Sequence, residues 1–128
     1  MNNYVWVRKK ILIAEDEEVN FLFIEAILEE TKATLIWAHN GQDAVNKVNE
    51  NNDIDIILMD IKMPEMDGLT ATRVIKNIKS SIPIIAQTAY SMTDDKKKCM
   101  NAGCDDYITK PINQKLLLST IDKFFHKV

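Results

Sequence analysis

Cysteine and histidine are scarce in this chain, at two residues each among 128. With so few His there is no zinc constellation, and Cys99 and Cys104 read as two reduced thiols of a cytosolic protein rather than as a disulfide framework. An excess of basic charge is also missing. The formal net charge of −3 argues against a nucleic-acid-binding surface, which is normally basic. No uninterrupted apolar run approaches the roughly 20 residues that span a bilayer. At the start, Met1 to Lys10, the short apolar patch precedes the basic residues, the reverse of a secretory signal. Glycine and proline number only three each, and no low-complexity segment or interior linker interrupts the chain. What is left is one domain, long enough to bury a core without disulfides or structural metal.

What the chain does have is a regular alternation of strand and helix patterns. Lys9 to Glu15 is a short apolar strand ending in acids, and Ala33 to Ala38 is β-branched and aromatic enough for a second. Ile54-Asp55-Ile56-Ile57-Leu58-Met59-Asp60 reads as a third, buried on both faces as in a parallel sheet covered by helices. Ile82 to Gln87 gives a fourth, with Pro83 early, where a missing donor is tolerable. Asp105 to Thr109 gives a fifth. Between them, Val19, Leu22, Phe23, Ala26 and Ile27 follow a helical period and predict the buried side of a first helix. Asn40-Gly41 breaks the second strand before a helix carrying Ala44, Val45 and Val48. A third helix starts after Asp67-Gly68 and runs to about Lys79, with Ala71, Val74, Ile75 and Ile78 on its apolar side. Thr93-Asp94-Asp95 caps a fourth that Gly103 stops, and Asn113 caps a last one carrying Leu116, Leu117, Ile121, Phe124 and Phe125. Five βα units with short connections predict an α/β fold, a parallel five-stranded sheet with helices on both faces.

The strands of such a sheet deliver their carboxyl ends to one edge, where open α/β folds bind ligands. Strand one delivers Glu15-Asp16-Glu17-Glu18, strand three Asp60, strand four Thr88-Ala89 and strand five Lys110-Pro111. An Asp closing a strand is, taken alone, most often a turn residue. Acids opening a helix are ordinary too, and that explains Glu17 and Glu18. Thr88 has the lesser rival reading of a residue bonding backbone locally and Tyr107 that of a half-buried strand aromatic, while Lys96 to Lys98 reads as a solvated helix face. The combination is more selective. Three carboxylates in one cleft repel one another unless a cation intervenes. A hard divalent ion resolves this, and Mg2+ typically uses one or two carboxylates, a phosphate oxygen and waters. Lys110 brings a compact ammonium for a carboxylate or phosphoryl group, and Thr88 a hydroxyl donor. A carboxylate nucleophile, an acid pair for Mg2+, a Lys and a Thr make an apparatus for phosphoryl transfer.

Four pieces, Ile13-Ala14-Glu15-Asp16-Glu17, Met59 to Gly68, Thr88-Ala89 and Thr109-Lys110-Pro111-Ile112, resemble the receiver domain of two-component response regulators in order and spacing. The stretch from Thr88 to Tyr107 is most similar to the receivers of hybrid sensor histidine kinases. The resemblance runs from Lys9 to the final helix. It implies a flavodoxin-like (βα)5 doubly wound sheet of order 2-1-3-4-5, with 1–8 as an N-terminal extension or linker and 9–128 as the receiver. Asp60 would be the phospho-acceptor. Glu15, Asp16 and Asp60 would hold Mg2+, or Mn2+ in its place, together with the backbone carbonyl of Lys62, Glu15 acting through water. Thr88 and Lys110 would bind phosphoryl oxygens, and Thr88 and Tyr107 would form the switch. Ala89 would keep the pocket open, the Lys110-Pro111 bond would be cis, and Lys62 and Tyr90 would tune the acyl-phosphate lifetime. Glu15 departs from the Asp that many members carry.

Rival classes fare worse. A flavodoxin-type carrier needs a neutral phosphate-cradling first loop, and Glu15 to Glu18 would repel the phosphate. A haloacid-dehalogenase-type phosphatase needs an acid two residues after its nucleophile, where this chain has Lys62. A pseudo-receiver, a docking module that is never phosphorylated, usually lacks the acceptor or the Lys, and both are present. The resemblance implies a cytoplasmic signalling domain that modifies itself rather than an enzyme acting on other substrates. A histidine kinase or phosphotransfer domain would be its phosphodonor, and a protein would read out the helix 4–strand 5–helix 5 face, with no nucleic acid or membrane contact. No DNA-binding or enzymatic domain follows the last helix, so the chain reads as a stand-alone regulator or as one domain of a longer chain, such as the cytoplasmic part of a membrane-bound hybrid kinase.

Overall fold

Apolar residues alternating between two faces of one sheet set the architecture. A computed structural model describes residues 4–89 and 93–126, without the side chains of 93–95. Its strands are β1 (Lys10–Ala14), β2 (Thr34–Ala38), β3 (Ile56–Asp60), β4 (Ile84–Thr88) and β5 (Asp106–Thr109). They form one parallel sheet in the order β2-β1-β3-β4-β5, the expected 2-1-3-4-5. The helices are α1 (Glu18–Leu28), α2 (Gly41–Glu50), α3 (Gly68–Ile78), α4 (Thr93–Ala102) and α5 (Gln114–Phe125). Leu12, Ala14, Ile57, Met59, Ile84 and Ala86 pack under α2, α3 and α4. Ile11, Ile13, Ile56, Leu58, Ile85 and Ile108 pack under α1 and α5. Side chains of successive strand residues point to opposite faces, so each strand feeds both layers.

Helix ends follow local chemistry. Asn40, Asp67 and Asn113 each accept a backbone N–H three residues on, from Asp43, Thr70 and Leu116, at 2.7, 2.8 and 3.0 Å. These caps satisfy donors the helix leaves open. At its other end α4 stops in a Schellman turn. Gly103 takes φ 111°, the Cys104 N–H reaches the Cys99 carbonyl and the Gly103 N–H the Met100 carbonyl. The two cysteines supply the apolar contact such a turn buries. Both are buried, and burial pushes the Cys104 thiol up to about 12, which leaves it unreactive. The proposed cap at Thr93-Asp94-Asp95 rests on side chains outside the described residues.

Three expectations from the sequence are corrected. The first helix presents its other stripe: Phe21, Ile24, Ile27 and Leu28 are buried, while Val19, Leu22 and Phe23 are 76%, 49% and 51% exposed. Ala26 is exposed as well, so of the expected set only Ile27 is inside. Both stripes are apolar at helical spacing, and only the sheet beneath selects between them. Ile78 and Leu116 stand at the solvent edge of their helices, 42% and 49% exposed. Pro83 precedes β4 rather than lying in it; its carbonyl accepts from Ile57 N–H at 3.0 Å. Trp6, ahead of β1, is 3% exposed. Its ring meets Phe125 edge-on at 5.1 Å, its indole N–H donates to Asp122 at 3.3 Å, and its backbone N–H donates to Thr31.

Candidate functional site

Register brings the acids together. Glu15 and Asp16 follow β1, Asp60 closes β3, Thr88 closes β4 and Lys110 follows β5. Carboxylate oxygens of Glu15, Asp16 and Asp60 lie within 4.8 Å of one another. Glu15 and Asp60 are buried, while Asp16 faces solvent. Lys110 Nζ donates to Asp60 Oδ2 at 2.8 Å and stands 3.7 Å from Glu15 Oε1. The other Asp60 oxygen, Oδ1, accepts the Lys62 backbone N–H at 3.0 Å, and the Glu17 N–H donates to Glu15 Oε2 at 3.2 Å.

The loop after β3 is clamped from beneath. Gly68 N–H donates to the Ile61 carbonyl at 3.1 Å and Gly41 N–H to the Met66 carbonyl at 3.0 Å. A Cβ on Gly68 would lie 2.1 Å from the Asp60 carbonyl oxygen, an impossible contact, so glycine is what lets this loop close on the acceptor strand. Trp37 holds the first acid from the side. Its indole N–H donates to the Glu15 carbonyl at 2.7 Å, and its ring stacks on Phe21 at 4.3 Å.

The electrostatics are those of a site with too little positive charge. Burial, and then the Asp60 charge, push the Glu15 carboxyl up to about 7. Burial would lower the Lys110 ammonium, but its hydrogen bond to Asp60 and the charges of Asp60, Glu15 and Glu17 hold it above its ordinary value. One ammonium among three carboxylates leaves negative charge over, and the donors are all oxygens. That set fits a hard divalent cation.

Of the remaining expected residues, Thr88 is buried, with its carbonyl accepting the Lys110 N–H at 2.7 Å. The Lys110-Pro111 bond is cis. Tyr107 is half-buried at the edge of the α4 layer, with the Lys96 ammonium 5.6 Å from its ring centre. Lys62 lines an open groove of about 560 Å3 with Asp16, Met63, Pro64, Asp67 and Lys98. Tyr90 lies outside the described residues. Two residues the sequence reading did not single out also border the acids: Trp37, and Gln87, fully buried and the cross-strand partner of Asp60. A polar residue closing the apolar run Ile84-Ile85-Ala86 was the available clue for Gln87.

The geometry has clear relatives. The chain is 40% identical over 124 residues to hybrid signal transduction histidine kinase I of Dictyostelium discoideum, covering 91% of this chain and 7% of that protein. It is 36% identical to the sensor protein GacS of Pseudomonas syringae, across 90% of this chain and 13% of that one. It thus spans about a tenth of the length of these two relatives. Against the response regulator DivK of Brucella anthropi it is 35% identical, with 91% of this chain and 95% of that protein covered. Among solved structures, a receiver domain of a Pseudomonas aeruginosa sensor histidine kinase superposes with a TM-score of 0.86 at 33% identity, over 93% and 98% of the two chains. That structure has a magnesium ion coordinated in its active-site cleft. The Saccharomyces cerevisiae Ssk1 receiver, crystallised with the histidine phosphotransfer protein Ypd1, matches with a TM-score of 0.87 at 30% identity, over 94% and 90%. Residues 11–122 match the response regulator receiver domain family, the sheet order is the expected one, and this chain belongs to the receiver domains of two-component signalling.

Proposed function

We propose that Asp60 accepts a phosphoryl group from the phosphohistidine of a kinase or histidine phosphotransfer protein, and that the modified domain signals to a protein partner. The observation carrying this is the Lys110 ammonium 2.8 Å from Asp60 Oδ2, inside a cluster of three carboxylates. Asp60 Oδ1 is tethered by the Lys62 N–H, so the carboxylate is fixed before a phosphodonor arrives. In the transfer a carboxylate oxygen forms the new O–P bond as the N–P bond breaks, and the electron pair leaves with the imidazole. Lys110 then pairs with phosphoryl charge and the Thr88 hydroxyl donates to a phosphoryl oxygen. Asp16, Asp60 and the Lys62 carbonyl, with Glu15 through water, would hold Mg2+, which would supply charge neutralisation at the phosphoryl oxygens; Mn2+ is the natural substitute, having the same ligand preference.

The open groove beside Lys62 suits the approach of a phosphodonor, and exposed Val19, Leu22 and Phe23 on α1 suit a protein carrying it. Tyr107, on the side away from α1, is the natural reporter of the Thr88 position, and α4–β5–α5 the readout face. Lys62 and Tyr90 are the residues for tuning the acyl-phosphate lifetime. In this reading 1–8 is an extension fastened by Trp6 to a receiver body, 9–128, working in the cytoplasm on its own or as part of a hybrid kinase. Intact-mass measurement after incubation with Mg2+ and acetyl phosphate tests the first step. One phosphoryl adduct is expected, lost in Asp60→Asn; a full adduct persisting in that variant would remove Asp60 as acceptor.

A further inference from the structure

Among the described residues, three buried side-chain polar atoms have no hydrogen-bond partner in the protein: Glu15 Oε1, Gln87 Nε2 and Gln87 Oε1. All three belong to residues lining one pocket of about 120 Å3, shared with Asn20, Phe23, Lys110, Pro111 and Ile112 and reaching solvent past the exposed Phe23 and Pro111. Register explains the convergence. Gln87 pairs with Asp60 across β3 and β4, and paired residues of neighbouring strands stand on the same face of a sheet. Here that is the face of α1 and α5, where Ile85, two residues earlier on β4, is core. An apolar residue in place of Gln87 would extend that core. The amide instead brings a donor and an acceptor into a buried place, which is strongly unfavourable unless both find partners.

The walls define what those partners are. An apolar occupant would leave the amide unsatisfied. An anion would meet the Glu15 carboxyl, and a cation the Lys110 ammonium at the same wall. A small neutral molecule that both donates and accepts remains, and the volume exceeds that of one water. We propose that this pocket holds a bound water on the buried Gln87 amide, and that Gln87 is a positioning residue which, through that water, orients Glu15 and Lys110 on the α1 side of Asp60. The open groove at Asp16 and Lys62 is a separate space, lined by none of Gln87, Glu15 or Lys110, so the pocket water is structural and not the attacking water. The positioning role rests on the phosphoryl-transfer reading of Glu15 and Lys110; the hydration does not.

Two measurements separate these parts. In the 15N-labelled full chain, the Gln87 side-chain NH2 protons should give rotating-frame Overhauser cross-peaks to long-lived water. Their absence overturns the hydration site and the proposal with it. Calorimetric Mg2+ titration of Gln87→Leu and Gln87→Met, two apolar residues of similar size, should show binding weakened by about tenfold, the scale of a lost outer-shell partner. Thermal midpoints should stay at or above that of the unaltered protein, because a buried polar group has been removed. Unchanged Mg2+ affinity in whichever variant folds overturns the positioning role. If the unaltered protein itself bound no Mg2+, the metal reading of the site would fall and the positioning role with it, while the cross-peaks would still decide the bound water.

Discussion

Two helices flank the carboxyl edge of the sheet, and they are held very differently. α1 is fixed by Phe21, Ile24, Ile27 and Leu28, stacked against Trp37 and the apolar face of β1 and β3. The described side chains of α4 bury only Cys99 and Ala102. A fully buried Leu, Ile or Phe contributes about 1.5–3 kcal/mol, and alanine or cysteine much less. One neighbour of Asp60 is therefore an anchored wall and the other a lightly fastened one. The element burying least opens most easily, so of these two helices α4 is the one expected to yield first to an event at Asp60. The polar row of Glu15, Asp60 and Gln87 faces the anchored side. Tyr107 and Thr88 belong to the loose one.

The largest expected effect tests the anchoring directly. Ile24→Ala should cost about 2–5 kcal/mol in denaturant unfolding, and Cys99→Ala on α4 about 1 kcal/mol; equal losses would break the contrast. The next concerns the acids between the helices. Glu15 has an ordinary carboxyl value of 4.5, raised to about 7 in the fold, so the folded state holds the proton more tightly than the unfolded chain. Its contribution to stability without metal is fully present below about pH 4.5 and is lost as pH rises to about 7. Mg2+ competes for the ionised form. Its affinity should therefore rise by up to about tenfold per pH unit below 7 and level off above, and a flat titration between pH 5.5 and 7 would show that Glu15 takes no part in holding the metal.

Gly68→Ala comes third. The added carbon has nowhere to go but against the Asp60 carbonyl, so the loop must shift, at about 1–3 kcal/mol. Phosphoryl uptake from acetyl phosphate should slow as well, since the Lys62 N–H that tethers Asp60 sits on that loop. A normal rate together with a stability loss would uncouple loop and acceptor. The smallest effect is on the loose side. Lys96 stands over the Tyr107 ring, a contact worth about 0.5–1 kcal/mol when exposed. Lys96→Ala should shift the Tyr107 side-chain conformers, read from NMR couplings, and lower the unfolding midpoint by only about 1–4 °C.

The run of strand and helix patterns, the five-fold βα repeat and the acids at strand ends were legible because each depends on local spacing along the chain. The cap at Asn113 was equally readable, since a cap acts within three residues of itself, whereas Asn40 and Asp67 were read only as the breaks before their helices. The buried face of α1 was not. Val19, Leu22 and Phe23 are as apolar as Phe21, Ile24 and Leu28, and local periodicity cannot rank two apolar stripes. Ile78 and Leu116 failed for a related reason, since a helical period does not tell where the neighbouring layer ends.

The sequence alone determined the architecture and the chemistry at its edge, because a parallel sheet must deliver its strand ends together and only certain side chains take a phosphoryl group. Tertiary structure decided the rest. It chose the inward stripe of α1, fastened Trp6 against Phe125 and Asp122, and raised Glu15 by setting it, buried, beside Asp60. It also put the unpaired amide of Gln87 on the same face as Asp60. Each of these depends on which surfaces meet across the sheet, a matter of register between distant segments that no local pattern encodes.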